Sequence, residues 1–311
     1  MELNKPEIAI HGIVIMGTCI LMPTNVTLDT QNALAGLRKW NLERDDSNEE
    51  FPHRVYRDNK GNVYSSVTHI LNQTAPQEQK DALERWSSRP NSAVERDVAC
   101  KRGHIAHAHA EYLLKTASKL ARQTANRRGV WSTGGDCLER TSPKIVSWAI
   151  KKAIASAPRV AWSGSGYARG LRTFIEASVS AIHAVEFSIH YTPKNAIHGT
   201  KSAIHGFAGT CDCLIDVHKD GYSDGPYILD WKTSANERSD GMYESYKHQL
   251  GAYSLGLKAL TGISPKGSII VLSRRSGSPV VKFSNQLELL SHEKSFLERF
   301  AIYKTQLELA A

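Results

Sequence analysis

Two short runs contain the side chains best suited to hydrolytic chemistry. Asp212 lies in the run Gly209–Val217, and Asp230 and Lys232 lie in the run Tyr227–Ser234. Both runs are rich in residues that favour β-strands, and two Asp-Gly pairs between them indicate a hairpin loop. Side chains alternate along a strand, so Asp230 and Lys232 should share one face, beside Asp212 on the neighbouring strand. Two carboxylates and an ammonium group at one point could hold a hard divalent cation and activate a water molecule.

A histidine-rich segment upstream carries a second set of polar side chains. Residues 101–111, Lys-Arg-Gly-His-Ile-Ala-His-Ala-His-Ala-Glu, have the apolar spacing of a helix. On such a helix His104 lies about 60° from His107, whereas His109 lies about 200° away. A metal site that includes His107 would therefore exclude His109, whereas His104 is the nearer of the two to His107 around the helix. Farther along the chain, Gln249 and Tyr253 are four residues apart and share a face of another predicted helix.

These motifs together resemble the active-site core of the PD-(D/E)XK nuclease superfamily, with Cys211 where the family name has proline. The spacing Arg102-Gly-x-x-x-His-x-x-x-Glu111 and the pair Gln249-x-x-x-Tyr253 are similar to those of RecB-like exonucleases. The segment Ser-Val-Thr-x-Ile-Leu at residues 66–71 resembles the opening of the mitochondrial genome maintenance exonucleases and their phage-encoded relatives. The motifs follow the family order over residues 54–305.

The resemblance implies a site for Mg²⁺ or Mn²⁺. Its ligands would be His107, Asp212, Asp230 and the backbone carbonyl of Trp231, with His104 and His109 outside the site. Lys232 would orient or deprotonate the attacking water, so that the expected catalytic residues are Lys232, Asp230, Asp212 and Glu186. Glu186 would either hold an outer-sphere water or pair with a Lys or Arg. No cysteine follows Cys213, which argues against the iron–sulfur cluster of some relatives, and the histidines lack a matching pair for zinc.

Further residues are expected to support the site or to bind DNA. By resemblance, these are Arg102, Glu111, Thr233, Ser234, Gln249 and Tyr253. Cys211 and Cys213 flank Asp212 and are expected to point away from it, into the packed side of the sheet.

The distribution of charge favours a polyanionic partner. The chain of 311 residues has a net charge of +8, and between Lys115 and Arg172 twelve Lys and Arg face only Asp136 and Glu139. Four aromatic residues that could stack on unpaired bases are interleaved with these cations: Trp131, Trp148, Trp162 and Tyr167. Lys151, Lys152 and Arg159 are the expected DNA contacts. Gly129, Gly134, Gly135, Gly164 and Gly166 suggest several short helices joined by mobile turns.

The coarse pattern predicts an α/β or α+β domain, a central mixed sheet flanked by helices, over residues 51–311. Within it, residues 115–181 would form a basic, mainly helical insertion. The pattern predicts a hairpin over 54–65, helices over about 66–73, 76–88, 92–120, 240–260 and 285–309, and strands over 183–191, 206–217, 227–233, 268–273 and 280–284. Residues 1–50 form an extension without an assigned role, expected to be partly disordered around Arg44 to Glu50.

Location and function follow from the same features. The apolar run Ile8–Met22 is too short for a membrane span and is interrupted by polar and glycine residues. The five cysteines form no paired framework, which favours a reducing compartment. A cytoplasmic protein is therefore expected, in the cytoplasm of the host cell if the protein is phage-encoded. The leading interpretation is a metal-dependent DNA exonuclease that prefers single strands or free ends, in replication, recombination or repair. A single-strand-binding protein or a recombinase is a candidate partner. Two alternatives stay open: a λ-exonuclease-like 5′→3′ duplex exonuclease that works with a recombinase as a trimeric ring, and a non-catalytic DNA-binding protein with a degenerate nuclease fold.

Overall fold

An eight-stranded mixed β-sheet forms the centre of the molecule. The computed structural model describes residues 42–46, 51, 53–133, 138–193, 204–218, 225–236 and 238–310. In this part of the chain the strands of the sheet are β1 (Glu43–Asp45), β2 (Val55–Arg57), β3 (Val63–Ser66), β6 (Val179–Tyr191), β7 (Ile204–Val217), β8 (Pro226–Ser234), β9 (Gly267–Arg274) and β10 (Pro279–Asn285), and β4 (Ser132–Thr133) pairs separately with β5 (Glu139–Arg140).

Seven helices accompany the sheet in the described residues. They are α1 (Val67–Gln73), α2 (Gln77–Ser87), α3 (Ser92–Arg128), α4 (Pro143–Ser156), α5 (Trp162–Ser178), α6 (Asp240–Thr261) and α7 (Gln286–Ala310). None of these helices has the length and apolar character that crossing a membrane requires. The predicted α/β class, with a mixed sheet flanked by helices, is confirmed.

Helices cover both faces of the sheet, which creates two hydrophobic cores. In the central strand β8, Ile228 joins the core beneath α1, α6 and α7, whereas Leu229 and Trp231 join the core beneath α3, α4 and α5. Strands buried on both faces read as nearly continuous apolar runs, and Tyr227–Leu229 has that character. The polar residues Asp230 and Lys232 interrupt this run at the end of β8.

The order of the strands brings the candidate residues together at the middle of the sheet. Strand β7 runs antiparallel to β6 along one edge, and its other edge pairs first with β3 and then with β8. The pairing of Cys213 with Leu229, continued by one residue, places Asp212 opposite Asp230, as the sequence predicts. On the other side, the pairs Phe187–Cys211 and Val185–Cys213 bracket Glu186 and Asp212. Three carboxylates therefore occupy adjacent positions across three strands.

The predicted elements agree with the structure except at a few places. Helix α3 continues to Arg128 instead of ending near residue 120, because its stripe of buried alanines continues through Ala121 and Ala125. It ends where Gly129 adopts a left-handed conformation with φ of 62°. The short β4–β5 hairpin was not predicted. Arg44 lies in the edge strand β1, paired with Tyr56, so the predicted disorder is wrong there; residues 47–50 and the run Ile8–Met22 lie outside the described residues.

The prediction of mobile turns at Gly164 and Gly166 is wrong, because both residues lie inside helix α5. A methyl group at Gly164 would overlap the side chain of Ile105 in α3, and one at Gly166 would overlap the backbone carbonyl of Arg275. These glycines allow α5 to pack closely against α3 and against the end of β9. Gly134 and Gly135 lie outside the described residues.

Cys211 and Cys213 also differ from expectation. Both are fully buried, but Cys211 lies in the core beneath α6 and α7, whereas Cys213 lies in the core beneath α3 to α5. Residues two apart in a regular strand share a face, so the alternation of side chains along β7 is interrupted at Asp212. On the paired strand, Glu186 has a positive φ of 48°, which is uncommon for a residue with a side chain. This local irregularity, which periodicity alone cannot reveal, accompanies the candidate site.

Candidate active site

Three side chains from three different elements converge beside the centre of the sheet. They are His107 of α3, Glu186 of β6 and Asp212 of β7, and one ligand atom from each lies within 4.8 Å of the other two. The Nδ1 atom of His107 is 3.5 Å from Oδ1 of Asp212. One imidazole nitrogen and two carboxylate oxygens form a donor set that suits a divalent cation.

Asp212 is held in place by the backbone of the next strand. The N–H group of Trp231 donates a hydrogen bond to Oδ2 of Asp212 over 2.5 Å. The other oxygen, Oδ1, is the one that faces His107. One carboxylate thus joins β8 to the candidate metal centre, and its orientation does not depend on a flexible side-chain partner.

A second polar cluster lies directly beside the first. Lys232 Nζ is 2.5 Å from Oδ2 of Asp230 and donates to Oε1 of Gln249 at 3.2 Å. The amide nitrogen of Gln249 in turn donates to Oδ1 of Asp230 at 3.1 Å and to the hydroxyl of Tyr253 at 2.9 Å. Asp230, Gln249 and Tyr253 are all buried. Gln249 therefore holds both members of the lysine–aspartate pair in place. Its four-residue spacing from Tyr253 puts the two side chains on one face of α6, where the Tyr253 hydroxyl accepts the second amide hydrogen bond.

Tyr253 fits against a glycine of the site strand. A methyl group placed at Gly209 would come within 2.7 Å of the Tyr253 ring. The absence of a side chain at Gly209 therefore lets α6 approach β7, and this approach brings Gln249 over Asp230.

Burial and mutual repulsion raise the pKa values of two carboxyl groups. Burial, together with the nearby charges of Asp212 and Glu111, raises the pKa of Glu186 to about 7. Burial likewise raises the pKa of Asp230 to about 6, although the charge of Lys232 opposes the shift. A site with several closely spaced carboxyl groups is stabilised by an added cation, so these shifts fit a metal centre.

The pKa values of the two basic groups are also raised, but by nearby negative charge and against the effect of burial. Burial by itself would lower the pKa of His107, but the hydrogen bond and charge of Asp212 outweigh it, so the pKa is raised. Burial would also lower the pKa of Lys232, but the charges of Asp230 and Asp212 raise it above its ordinary value. Lys232 therefore carries a positive charge at neutral pH.

The structure groups the site residues differently from the ligand set that the resemblance implies. His107 and Asp212 come together with Glu186, which was expected to hold an outer-sphere water. Asp230 lies opposite Asp212 but directs its carboxylate to Lys232 and Gln249. Trp231 contributes its N–H group to Asp212.

The other two histidines of α3 are separate from this group. His104 is exposed. The pKa of His109 is lowered by burial and by the charge of Arg172, so His109 lies in a different environment from His107. Neither belongs to a cluster of potential ligands in the described part of the chain.

Two of the supporting residues organise α3. Arg102 donates to the hydroxyl of Tyr167 at 3.3 Å and lies over its ring, which ties α3 to α5. Glu111 forms an ion pair with Lys115 one turn later, at 2.5 Å.

The two hydroxyl residues after Lys232 have different surroundings. Thr233 is half-buried beside Gly103, where an added methyl group would be 3.4 Å from its Oγ1. Ser234 is buried, and its hydroxyl donates to the backbone carbonyl of Asn236 at 2.6 Å. Ser234 thus has a clear role in the turn that follows β8.

The predicted DNA contacts outside the site are exposed. Lys151 and Lys152 lie on α4, and Arg159 lies in the connection to α5. Trp148 and Trp162 have 43% and 84% of their surface exposed. Of the other interleaved aromatics, Tyr167 is buried and the indole of Trp131 donates to Asn126.

One residue near the site was not predicted. The ammonium group of Lys232 lies 4.9 Å from the ring centroid of Tyr246, in a cation–π contact. Tyr246 precedes Gln249 by three residues on α6 and therefore shares its face, which is the signal that could have indicated it.

Comparison with known proteins agrees with this geometry. The model of the PD-(D/E)XK nuclease superfamily matches residues 77–305, which include every residue of the two polar clusters. A search of curated proteins gives no significant match. Nucleases of this superfamily use divalent metals, and the His107, Glu186 and Asp212 cluster could hold one. The chain belongs to the PD-(D/E)XK nuclease superfamily.

Proposed function

We propose that this nuclease is a metal-dependent DNA exonuclease that prefers single strands or free ends. The observation that carries the proposal is the cluster of His107, Glu186 and Asp212 beside the Asp230–Lys232 pair. A cation site adjacent to a charged lysine is suited to the hydrolysis of a phosphodiester bond. The complete set of catalytic groups favours an enzyme over a DNA-binding protein with a degenerate site.

The donor set fits Mg²⁺ or Mn²⁺. Carboxylate oxygens suit Mg²⁺, and the imidazole of His107 tilts the preference toward Mn²⁺. Asp230 and the carbonyl of Trp231 are proposed as further ligands, since Asp230 is opposite Asp212 in the strand register. When bound, the cation would supply Lewis acidity, both to acidify the attacking water and to offset charge on the scissile phosphate.

The protein side chains would have distinct tasks around this centre. Lys232 would orient the attacking water and stabilise the negative charge that develops on the phosphate, since its raised pKa keeps it an ammonium donor. Glu186 would hold a water molecule beside the cation, through the carboxylate oxygen that is not a ligand. Gln249 would hold Lys232 and Asp230 in position without touching the substrate.

The preference for single strands or ends is supported by the surface outside the site. Lys151, Lys152 and Arg159 offer charge to phosphates, and exposed Trp148 and Trp162 offer rings to bases. Residues 115–181 are accordingly proposed as the DNA-binding insertion of a domain that spans residues 51–311. A role in replication, recombination or repair, in the cytoplasm and with a single-strand-binding protein or recombinase, completes the proposal.

The decisive experiment is a cleavage time course. Single- and double-stranded oligonucleotides labelled at the 5′ or the 3′ end are incubated with the protein and Mg²⁺, Mn²⁺ or EDTA. The proposal predicts progressive shortening of linear single strands with either metal, no cleavage in EDTA and no cleavage of a circular single strand. Cleavage of the circle would identify an endonuclease, and inactivity with both metals would exclude the nuclease function.

A further inference from the structure

A groove with a volume of about 750 Å³ runs between α3 and β6 and reaches the candidate metal centre. Seven consecutive residues of β6, Ile182 to Ser188, line one side of it. Because neighbouring residues of a strand point to opposite faces, a groove lined by all of them follows the edge of the strand. In the described part of the chain, β6 pairs only with β7, so its other edge has no partner strand. Glu186 belongs both to this groove and to the metal cluster.

The opposite wall of the groove is positively charged. Lys115, Lys119 and Arg122 of α3 line it, together with the polar residues Ser118, Gln123 and Asn126. Among the described residues of the lining, Glu186 is the one acid. Lys115 is paired with Glu111, whereas Lys119 and Arg122 are exposed and form no ion pair with a described acidic residue.

These cations continue the face of α3 that carries His107. With 3.6 residues per turn, Lys115, Lys119 and Arg122 all lie within about 120° of His107 around the helix. With a rise of 1.5 Å per residue, Lys115 lies about 12 Å and Arg122 about 22 Å from His107 along the helix axis. One side of α3 thus carries a metal ligand, then an acid, then a row of cations that leads away from the centre.

We propose that this groove binds one strand of a nucleic acid, a DNA single strand whose phosphates follow Lys115, Lys119 and Arg122 to the metal centre. The inference rests on the proposed function and specifies its substrate path. A helix and a strand edge flank the groove, and its volume is in the range of small-ligand pockets, about 300–1,000 Å³, so it suits a few nucleotides of one strand better than a duplex. The lining offers cations and polar groups but no exposed aromatic ring, since its one aromatic residue, Phe187, is buried. Binding should therefore depend on phosphate charge and not on base sequence.

The charge of the groove also decides between two kinds of partner. An unpaired strand edge can accept a peptide as an additional strand. A peptide backbone would leave Lys119 and Arg122 without partners, whereas a phosphate chain can pair with both. We therefore assign the groove to nucleic acid.

The test compares two double variants that remove equal charge. Lys119→Gln with Arg122→Gln changes the groove; Lys294→Gln with Arg85→Gln changes exposed residues on α7 and α2 that do not line it. Binding of a fluorescent single-stranded oligonucleotide is measured by anisotropy in EDTA over a series of salt concentrations. Each lost phosphate contact reduces the slope of log K against log salt by about 0.7 for single strands, so the groove variant should flatten the slope by about 1.4. The control variant should keep the wild-type slope.

Cleavage kinetics and competition by a duplex provide the remaining readouts. The groove variant should raise KM for a single-stranded substrate while kcat stays close to that of the wild type, and its thermal unfolding should match that of the control. A blunt duplex should compete weakly for the groove. A wild-type slope and KM in the groove variant, or equal competition by the duplex, would overturn the inference. If the wild type binds single strands through the groove but cleaves nothing, the groove assignment stands and the nuclease proposal falls.

Discussion

At the scale of single residues, the account depends on how Lys232 is held. Asp230 neutralises it, Gln249 accepts a hydrogen bond from it, and the ring of Tyr246 lies beside it. These three contacts restrict the ammonium group to one position next to Asp212. Such preorganisation is what makes a charged donor effective in a transition state.

Replacement of Lys232 by alanine should therefore reduce cleavage severely while DNA affinity is retained. Loss of a preorganised donor lowers kcat by about 10²–10³. The matched control is Lys247→Ala, which removes a lysine from α6 that pairs with Glu244 outside the site. Turnover is measured with purified protein whose thermal unfolding has been recorded. Near wild-type turnover in folded Lys232→Ala would show that the lysine has no catalytic task.

Glu186 should make the stability of the metal-free protein depend on pH. Its pKa is about 7 in the folded protein against an ordinary value of 4.5, so the folded state favours the protonated form. Its stabilising contribution is complete below the unfolded pKa and is lost as the pH rises through 7. Between pH 5 and pH 8 in EDTA, the wild type should lose more unfolding free energy in urea than Glu186→Gln. An identical loss in the two proteins would mean that Glu186 titrates normally.

At the scale of elements, the packing of α5 is the feature that sequence patterns described least well. Its glycines look like chain breaks, but they are contact points with Ile105 and with the carbonyl of Arg275. Gly103 in α3 differs, because a methyl group there would make an ordinary contact of 3.4 Å with Thr233.

Replacement by alanine should lower the stability of the protein at Gly166 but not at Gly103. Gly166→Ala should destabilise the protein by about 1–3 kcal/mol, because the added carbon meets rigid backbone. Gly103→Ala should be neutral or stabilising by about 0.5–1 kcal/mol, because alanine favours a helix over glycine. Urea unfolding of both variants checks the contrast. A Gly166→Ala protein as stable as the wild type would contradict the close approach of α5 to β9.

Local sequence patterns were enough to predict the strands of the site but not all of its members. The strands β7 and β8 and the opposition of Asp212 and Asp230 follow from alternation and from the hairpin loop, which are local properties. The extension of α3 to Arg128 could also have been predicted from the spacing of its alanines. The entry of Glu186 into the group of His107 and Asp212 was not predictable in this way, since it depends on a left-handed backbone and on the pairing of β6 with β7.

At the scale of the whole molecule, positive charge is concentrated on one part of the chain. The net charge is +8, yet the segment from Lys115 to Arg172 alone has twelve cations and two anions. An excess of this kind steers a polyanion toward one surface. The groove cations of α3 and the exposed cations of α4 both belong to this segment.

The cations of α4 should contribute to DNA binding independently of the groove. Replacement of Lys151, Lys152 and Arg159 by glutamine should flatten the salt dependence of single-strand binding by about 2, at about 0.7 for each contact. Anisotropy measurements with oligonucleotides of unrelated sequence should give the same change, since phosphates are the target. An unchanged slope would mean that these residues face bulk solvent and that the strand follows another path.

The central claim is that His107, Glu186 and Asp212 form the metal centre of a nuclease. The most direct measurement is calorimetric titration of Mn²⁺ into the wild type, His107→Ala and His109→Ala at one pH. The account predicts that His107→Ala weakens Mn²⁺ binding, because His107 supplies one of three converging ligand atoms, while His109→Ala matches the wild type. Equal Mn²⁺ affinity in the wild type and in His107→Ala would contradict the account.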